Sequence, residues 1–350
     1  MIKRIFVSDI HMSLGGHPYD WLSSAEAQAF EQFLDYVAKD GTIDELVLVG
    51  DMADDWIYPL DVQPPSYAAI AAAHPGIITR LVAASQGKPV TYLVGNHDIT
   101  ITKNSIPNFG NGTGQHVIFQ WSYDVDGLWA EHGNQYVVWN ALDPKNKLPI
   151  GHYISRLQAT VDNGVGHPAR WQEAISDILH NIDATIENPY VNIVLDYFVA
   201  RLGIDEDTTI VTTEGDTITI RDVRNLYADL SERWKKGDHD FPGLVDQFLM
   251  EEGPDGLRDI ARFTAARRKK KVVIFGHTHE WKIEKVYTWD DGPRGPENIH
   301  EAIYANCGAW CKGHDLTYVM DEYDENVKKH TVSVMSWPAK KPVKPPLSIS

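Results

Sequence analysis

Leu46-Val47-Leu48-Val49-Gly50-Asp51 is a run of four apolar residues closed by a glycine and an acid. So short and unbroken a run predicts a strand buried on both faces, and the Gly-Asp stop puts a polar group at its carboxyl end. The same arrangement recurs on either side. Ile5-Phe6-Val7 leads into Ser8-Asp9-Ile10-His11, and Val90-Thr91-Tyr92-Leu93-Val94 leads into Gly95-Asn96-His97-Asp98. Between the first two runs, Phe30, Phe33, Leu34, Val37 and Ala38 keep a helical spacing. Ser23 and Glu26 are placed for a capping box at the start of that helix, and Gly41 follows its end. Residues 67–84 also read as helical, with an interruption at Pro75-Gly76. Strands alternating with helices predict a layered α/β fold.

Further along, Val117-Ile118-Phe119-Gln120-Trp121 and Leu128-Trp129-Ala130, with a turn near Asp126-Gly127, read as a hairpin. From about 150 to 270 the periodicity is mostly helical. One stripe is Trp171, Ile175, Ile178, Leu179 and Ile182; a second is Val191, Val194, Leu195, Phe198, Val199 and Leu202. Residues 208–213 and 217–220 are the strand-like exceptions. Strands resume at Val272-Val273-Ile274-Phe275 and recur near 283–289, 300–306, 315–320 and 331–337. The expected organisation is one domain over 1–337, interrupted by a helical cap at 150–268. A Pro/Lys-rich tail at 338–350, extended or disordered, completes it.

Composition narrows the function. The chain has 350 residues, a formal charge of −17, 43% hydrophobic residues and 11 Trp, enough for a packed core. The negative balance works against non-specific nucleic-acid binding, which depends on phosphate neutralisation by Lys and Arg. Two cysteines cannot form a disulfide framework. No apolar leader precedes the first strand and no apolar run is long enough to span a membrane, so a cytoplasmic protein is expected. Unexplained by these totals are the 15 histidines.

Five strand ends carry metal-binding residue types: Asp9 and His11, Asp51, Asn96-His97-Asp98, Glu131-His132, and His277-x-His279. In open α/β sheets the carboxyl ends of the strands form the ligand crevice. Carboxylate, amide and imidazole donors suit Mn, Fe or Zn and are poor for soft-metal chemistry. Seven candidate ligands (Asp9, His11, Asp51, Asn96, His132, His277 and His279) exceed the needs of one four-coordinate ion. Two divalent ions sharing a carboxylate use them all.

In this order, Asp9-x-His11, Gly50-Asp51, Gly95-Asn96-His97-Asp98, His132 and Gly276-His277-x-His279 resemble the calcineurin-like metallophosphoesterase superfamily. The resemblance implies a four-layered α/β/β/α sandwich of mixed sheets and a dinuclear metal centre. By motif, Asp9, His11, Asp51 and His279 would hold one ion. Asp51, Asn96, His132 and His277 would hold the other. His97 would act at the phosphoryl group, with Asp98 orienting it. The implied reaction is phosphoester hydrolysis by attack of a metal-bridging hydroxide on a small-molecule substrate.

Within the superfamily, Gly50-Asp51-Met52-Ala53-Asp54-Asp55-Trp56 and His132-Gly133-Asn134-Gln135-Tyr136 are similar to the UDP-diacylglucosamine pyrophosphatase branch. That branch carries Arg where His97 stands, so a phosphodiesterase is expected first and the lipid-linked diphosphate second. A protein phosphatase is disfavoured because Val94 precedes Gly95 and Asp98 follows His97. A non-catalytic protein-binding scaffold on the same fold is the reading from another class. Asp54 and Asp55 are as readily solvated loop acids as site residues. Cys307 and Cys311 read as two reduced thiols near a strand end. Arg267-Arg268-Lys269-Lys270-Lys271 reads as the cationic close of a helix. Trp56, Tyr136 and Trp139 lie near the motifs with no assigned role.

Overall fold

The computed structural model describes residues 1–14, 21–101, 105, 117–136, 140, 148–161, 190–212, 215–226, 257–292 and 295–350. The helical stripe at 171–182 and Trp139 lie outside these residues. Four parallel strands form the heart of the first sheet: β1 (Ile2–Val7), β2 (Glu45–Val49), β3 (Val90–Leu93) and β4 (Val117–Gln120). Antiparallel strands β12 (Thr317–Asp324) and β13 (Lys329–Ser336) extend it beyond β1. The second sheet has five strands in the order β10 (Trp281–Gly292), β11 (Gly295–Cys307), β9 (Val272–Phe275), β6 (Leu128–Ala130) and β5 (Tyr123–Val125).

Alternation along the strands builds the layers. Phe6, Val47, Val49 and Leu93 point to the inter-sheet core, where they meet Leu128, Ala130, Val272, Ile274, Ile303 and Ala305. Ile5, Val7, Leu46 and Leu48 point the other way. They pack under α1 (Ser24–Lys39), α2 (Tyr67–Ala73) and α3 (Pro75–Gly87). On the far side, Val273 and Phe275 meet Ile260, Ala261 and Ala265 of the helix Arg258–Arg268. Helices therefore cover both outer faces of the paired sheets, which is the expected four-layered sandwich. Ser23 caps α1 by accepting from the Ala25 N–H. Pro75 opens α3, which turns 97° from α2.

Two local expectations change, and a third is sharpened. Residues 117–120 are not the partner of 128–130: β4 lies parallel to β3 in the first sheet, and β5 makes the hairpin with β6 in the second. The chain changes sheets at Trp121-Ser122. The helix Arg258–Arg268, read as the close of the insertion, packs instead on the second sheet. The Pro/Lys-rich end is extended and paired. Its strands β14 (Lys341–Pro342) and β15 (Leu347–Ile349) both run antiparallel to β13.

The inserted segment has its own core. Ile150, Tyr153, Ile154 and Leu157 of α4 (Ile150–Val161) pack on Leu195 and Phe198 of α5 (Tyr190–Leu202) and on Ile210 and Ile218 of the short ladder β7 (Thr209–Val211) with β8 (Thr217–Thr219). Arg156 ties this unit to the loop after β2. Its buried guanidinium donates to the carbonyls of Tyr58, Pro59, Leu60 and Val62 and, at 2.5 Å, to Val211.

A second buried arginine joins the sheets. Arg4 of β1 pairs with Asp321 of β12 at 3.3 Å and with Asp126 in the β5–β6 turn. His330 of β13 bridges the same two elements, 2.9 Å from Asp321 Oδ1 and 2.9 Å from the Asp126 carbonyl. Removing a partner from such a buried set leaves uncompensated charge, a cost of about 3–5 kcal/mol. Arg4→Ala should therefore lower the urea-unfolding free energy by about that amount. A loss below about 1 kcal/mol, as for a surface pair, would show that the network does not hold the sheets together.

Candidate metal centre

The five polar strand ends converge. β1, β2 and β3 end side by side in the first sheet, and the parallel strands β6 and β9 end beside them in the second. Backbone hydrogen bonds stitch the loops into one floor. Asp9 N donates to Gly50 O, Ile10 N and His11 N both donate to Asp51 O, and Gly276 N donates to His132 O. Two glycines allow the approach. A Cβ on Gly95 would lie 2.1 Å from Asp51 Oδ1, and one on Gly276 would lie 2.7 Å from Asp9 Oδ2. Neither site has room for any side chain.

Backbone strain concentrates here. Among the described residues, nine that are not glycine have positive φ, and Asp9, His11, Asp51, His277 and His279 are five of them. Each such residue costs on the order of 1–3 kcal/mol and persists where its surroundings over-determine it, as at ligand sites. All five turn their side chains into one cluster.

The donors form two groups around Asp51. Asp9, His11 and Asp51 offer one atom each within 4.8 Å of one another, and so do Asp51, His132 and His277. His279 Nε2 completes the first group, 3.0 Å from His11 Nε2 and 3.3 Å from Asp9 Oδ1. Asn96 completes the second, with Oδ1 3.1 Å from His132 Nε2, which itself lies 3.0 Å from Asp51 Oδ2. His132 Nδ1 donates to the Val49 carbonyl at 2.8 Å, which turns Nε2 toward Asp51. All seven expected ligands thus lie together.

Electrostatics couples the acids of the cluster to its imidazoles. Burial opposes charge on Asp9, Asp51 and Asp54, yet the surrounding histidines hold all three well below the usual carboxylate range. Burial also works to depress His11 and His132, but their carboxylate neighbours raise them to about 10 and about 9. The imidazoles of His11 and His132 and the backbone N–H groups of His97, His277 and Trp56 together balance the buried acids, while burial pushes His279 down to about 4. Asp9 Oδ1 is fully buried and makes no hydrogen bond among those residues. Oxygen and imidazole donors, an orphaned carboxylate oxygen and facing imidazole nitrogens fit divalent cations.

The two acids beside His97 have roles other than those expected. Asp98 lies beneath the loop, accepting from Gly95 N at 2.7 Å, from Met52 N at 2.9 Å and from the Tyr92 hydroxyl. Burial, then the nearby Asp51 charge, pushes it up to about 6. It is Asp54, read as an ambiguous loop acid, that meets His97: Oδ2 is 3.0 Å from His97 Nδ1 and 2.9 Å from His11 Nδ1. Trp56 stacks on the His97 ring, with centroids 4.0 Å apart. His152 of α4 meets the edge of Trp56 at 5.9 Å, so the inserted segment reaches the site through this indole. Trp21 packs against His11, and Asn140 Nδ2 lies 3.4 Å from His277 Nε2. A cleft of about 160 Å³ opens beside His132, lined also by Trp121, Glu131, Asn134, Gln135 and Asn140. Cys307 and Cys311 are both free and buried.

No single helix among the described residues is long and apolar enough to cross a membrane. Several solved structures are similar to this chain over its whole length at low identity. A conserved uncharacterized protein from Streptococcus pneumoniae, described as a predicted phosphoesterase, is 10% identical over 100% of this chain and 97% of its own, with a TM-score of 0.32. A Vps29 single mutant from Entamoeba histolytica is 8% identical, with 100% of both chains covered and a TM-score of 0.34. GAP50, the anchor in the inner membrane complex of Plasmodium, is 10% identical over 100% of this chain and 88% of its own, with a TM-score of 0.34. No curated protein matches significantly. The profile of the calcineurin-like phosphoesterases matches residues 2–281, which takes in every strand end that carries a donor. The chain belongs to the calcineurin-like phosphoesterase family.

Proposed function

We propose that the protein hydrolyses a phosphodiester, or a diphosphate, with two divalent first-row metal ions (Mn, Fe or Zn). The observation that carries this reading is the sharing of buried Asp51 between two groups of donors. Asp9, His11, Asp51 and His279 would hold one ion, and Asp51, Asn96, His132 and His277 the other. Bound there, the ions would acidify water and offset phosphoryl charge.

The chain's own residues supply the rest. Asp54 Oδ2 stands 3.0 Å from His97 Nδ1, an ion-pair distance, and Trp56 stacks on the ring. That leaves Nε2 as the nitrogen able to pass a proton to the leaving oxygen. His97 is a partly exposed member of the cluster, with 12% of its side chain accessible. Asp98 acts one layer down, holding the Gly95 turn against Asp51. The cleft beside His132 supports a substrate with a group beyond the phosphoryl, as a diester or diphosphate has. The contact of α4 with Trp56 supports a substrate-selecting role for the inserted segment. The motif around Gly50–Trp56 favours a UDP-diacylglucosamine-type pyrophosphatase as the second reading.

Asp51→Asn should retain the fold by circular dichroism and abolish turnover of bis-p-nitrophenyl phosphate under Mn, Fe or Zn. A wild-type protein that turns over no phosphoester with any of these metals would favour the scaffold reading. His97→Ala should cut kcat by about 10²–10⁴-fold for esters with poor leaving groups and much less for p-nitrophenyl esters. Asp54→Asn should shift kcat in the same leaving-group-dependent way, whereas equal losses for all leaving groups would remove the proton-donor role.

A further inference from the structure

A thiol that the donor set of the family motifs does not include lies against the first group of donors. Cys311 Sγ, a His11 ring nitrogen and a His279 ring nitrogen all lie within 4.8 Å of one another. Tertiary contacts hold the thiol there. β11 ends at Cys307, and the loop beyond it returns to the end of β1: Trp310 N donates to Asp9 O at 2.9 Å, and the Cys311 thiol points at the same carbonyl, 3.6 Å away. Ser8 donates to Gly308 O at 3.1 Å, a second tie between the two loops. Residues 8–13 and 308–311 are buried, and Cys311 itself is 0% exposed.

An independent feature marks the same spot. Asp9 Oδ1 is buried without a hydrogen bond among the described residues, and it faces His279 Nε2 at 3.3 Å and His11 Nε2 at 3.7 Å. The two Nε2 atoms face each other at 3.0 Å. The same two imidazoles thus face the Asp9 carboxylate and lie near the Cys311 sulfur. Donors bound to one ion at about 2.0–2.3 Å lie roughly 3–4.6 Å apart, and the Cys311 sulfur lies within 4.8 Å of a nitrogen on each imidazole.

We propose that Cys311 is a thiolate ligand to the metal ion held by Asp9, His11, Asp51 and His279, and that it biases this position toward thiophilic ions such as Zn over Mn. The inference rests on the metal-centre reading above. Binding breaks the S–H bond, the proton leaves to solvent, and the sulfur lone pair forms the bond to the ion. Thiolate is a soft donor and selects Zn over the oxygen-preferring Mn. Cys307 has no part in this, because its sulfur belongs to the inter-sheet core.

Cobalt(II) loading of the whole chain is the direct test, because a thiolate ligand adds a sulfur-to-cobalt charge-transfer band in the near ultraviolet. The band should be present in the wild type and in Cys307→Ser and absent in Cys311→Ser. Competitive titration should show Cys311→Ser losing about 10–100-fold of its preference for Zn over Mn. Cobalt binding without the band, or a band that survives in Cys311→Ser, would overturn the thiolate assignment alone. A wild type that binds no cobalt would overturn the metal centre with it. Circular dichroism of Cys311→Ser separates a lost ligand from a lost fold.

Discussion

The buried carboxylate of Asp51 is the constraint on which the rest of the site depends. It is buried, it takes a hydrogen bond from His97 N, and it stands 3.0 Å from His132 Nε2. Taking an ionised carboxylate out of water costs several kcal/mol unless charge and hydrogen bonds compensate it. Here compensation comes from loops on both sheets, His97 N after β3 and His132 after β6. Gly95 lies against Asp51 and Gly50 against His132 because no side chain fits at either point.

Other features accompany that arrangement. The positive φ angles of Asp9, His11, Asp51, His277 and His279 aim five side chains inward at the cost of local strain. The apolar faces of both sheets supply the opposing stability through the inter-sheet core. The Arg4–Asp321–Asp126–His330 set is a further polar tie between the two sheets. His11 and His132, two of the histidines that looked excessive for an acidic chain, help to balance its buried acids. Divalent cations in their place would reverse the sign of the field that an anionic substrate meets.

Much of this was legible in sequence because strands buried on both faces write continuous apolar runs, and Gly-Asp or Gly-His stops mark their ends. The rest depended on tertiary placement. β4 and β5 are adjacent short runs, and nothing local tells which sheet each joins; the switch at Trp121-Ser122 shows only in the pairing. An amphipathic helix reads alike in a cap and in an outer layer, and only its packing on Val273 and Phe275 places the helix Arg258–Arg268 against the second sheet. Asp98 follows His97 directly and invited the role of its orienter. Its side chain turns beneath the loop, while Asp54, 43 residues away, reaches the ring. Cys311 lies 302 residues from Asp9, and only the folded chain brings them together.

The sharing of Asp51 is tested most directly by anomalous diffraction from crystals loaded with Mn or Zn. Two peaks flanking the Asp51 carboxylate are expected, one beside Asp9, His11 and His279 and the other beside Asn96, His132 and His277. A single peak, or peaks that leave Asp51 bound to only one ion, would contradict the shared centre.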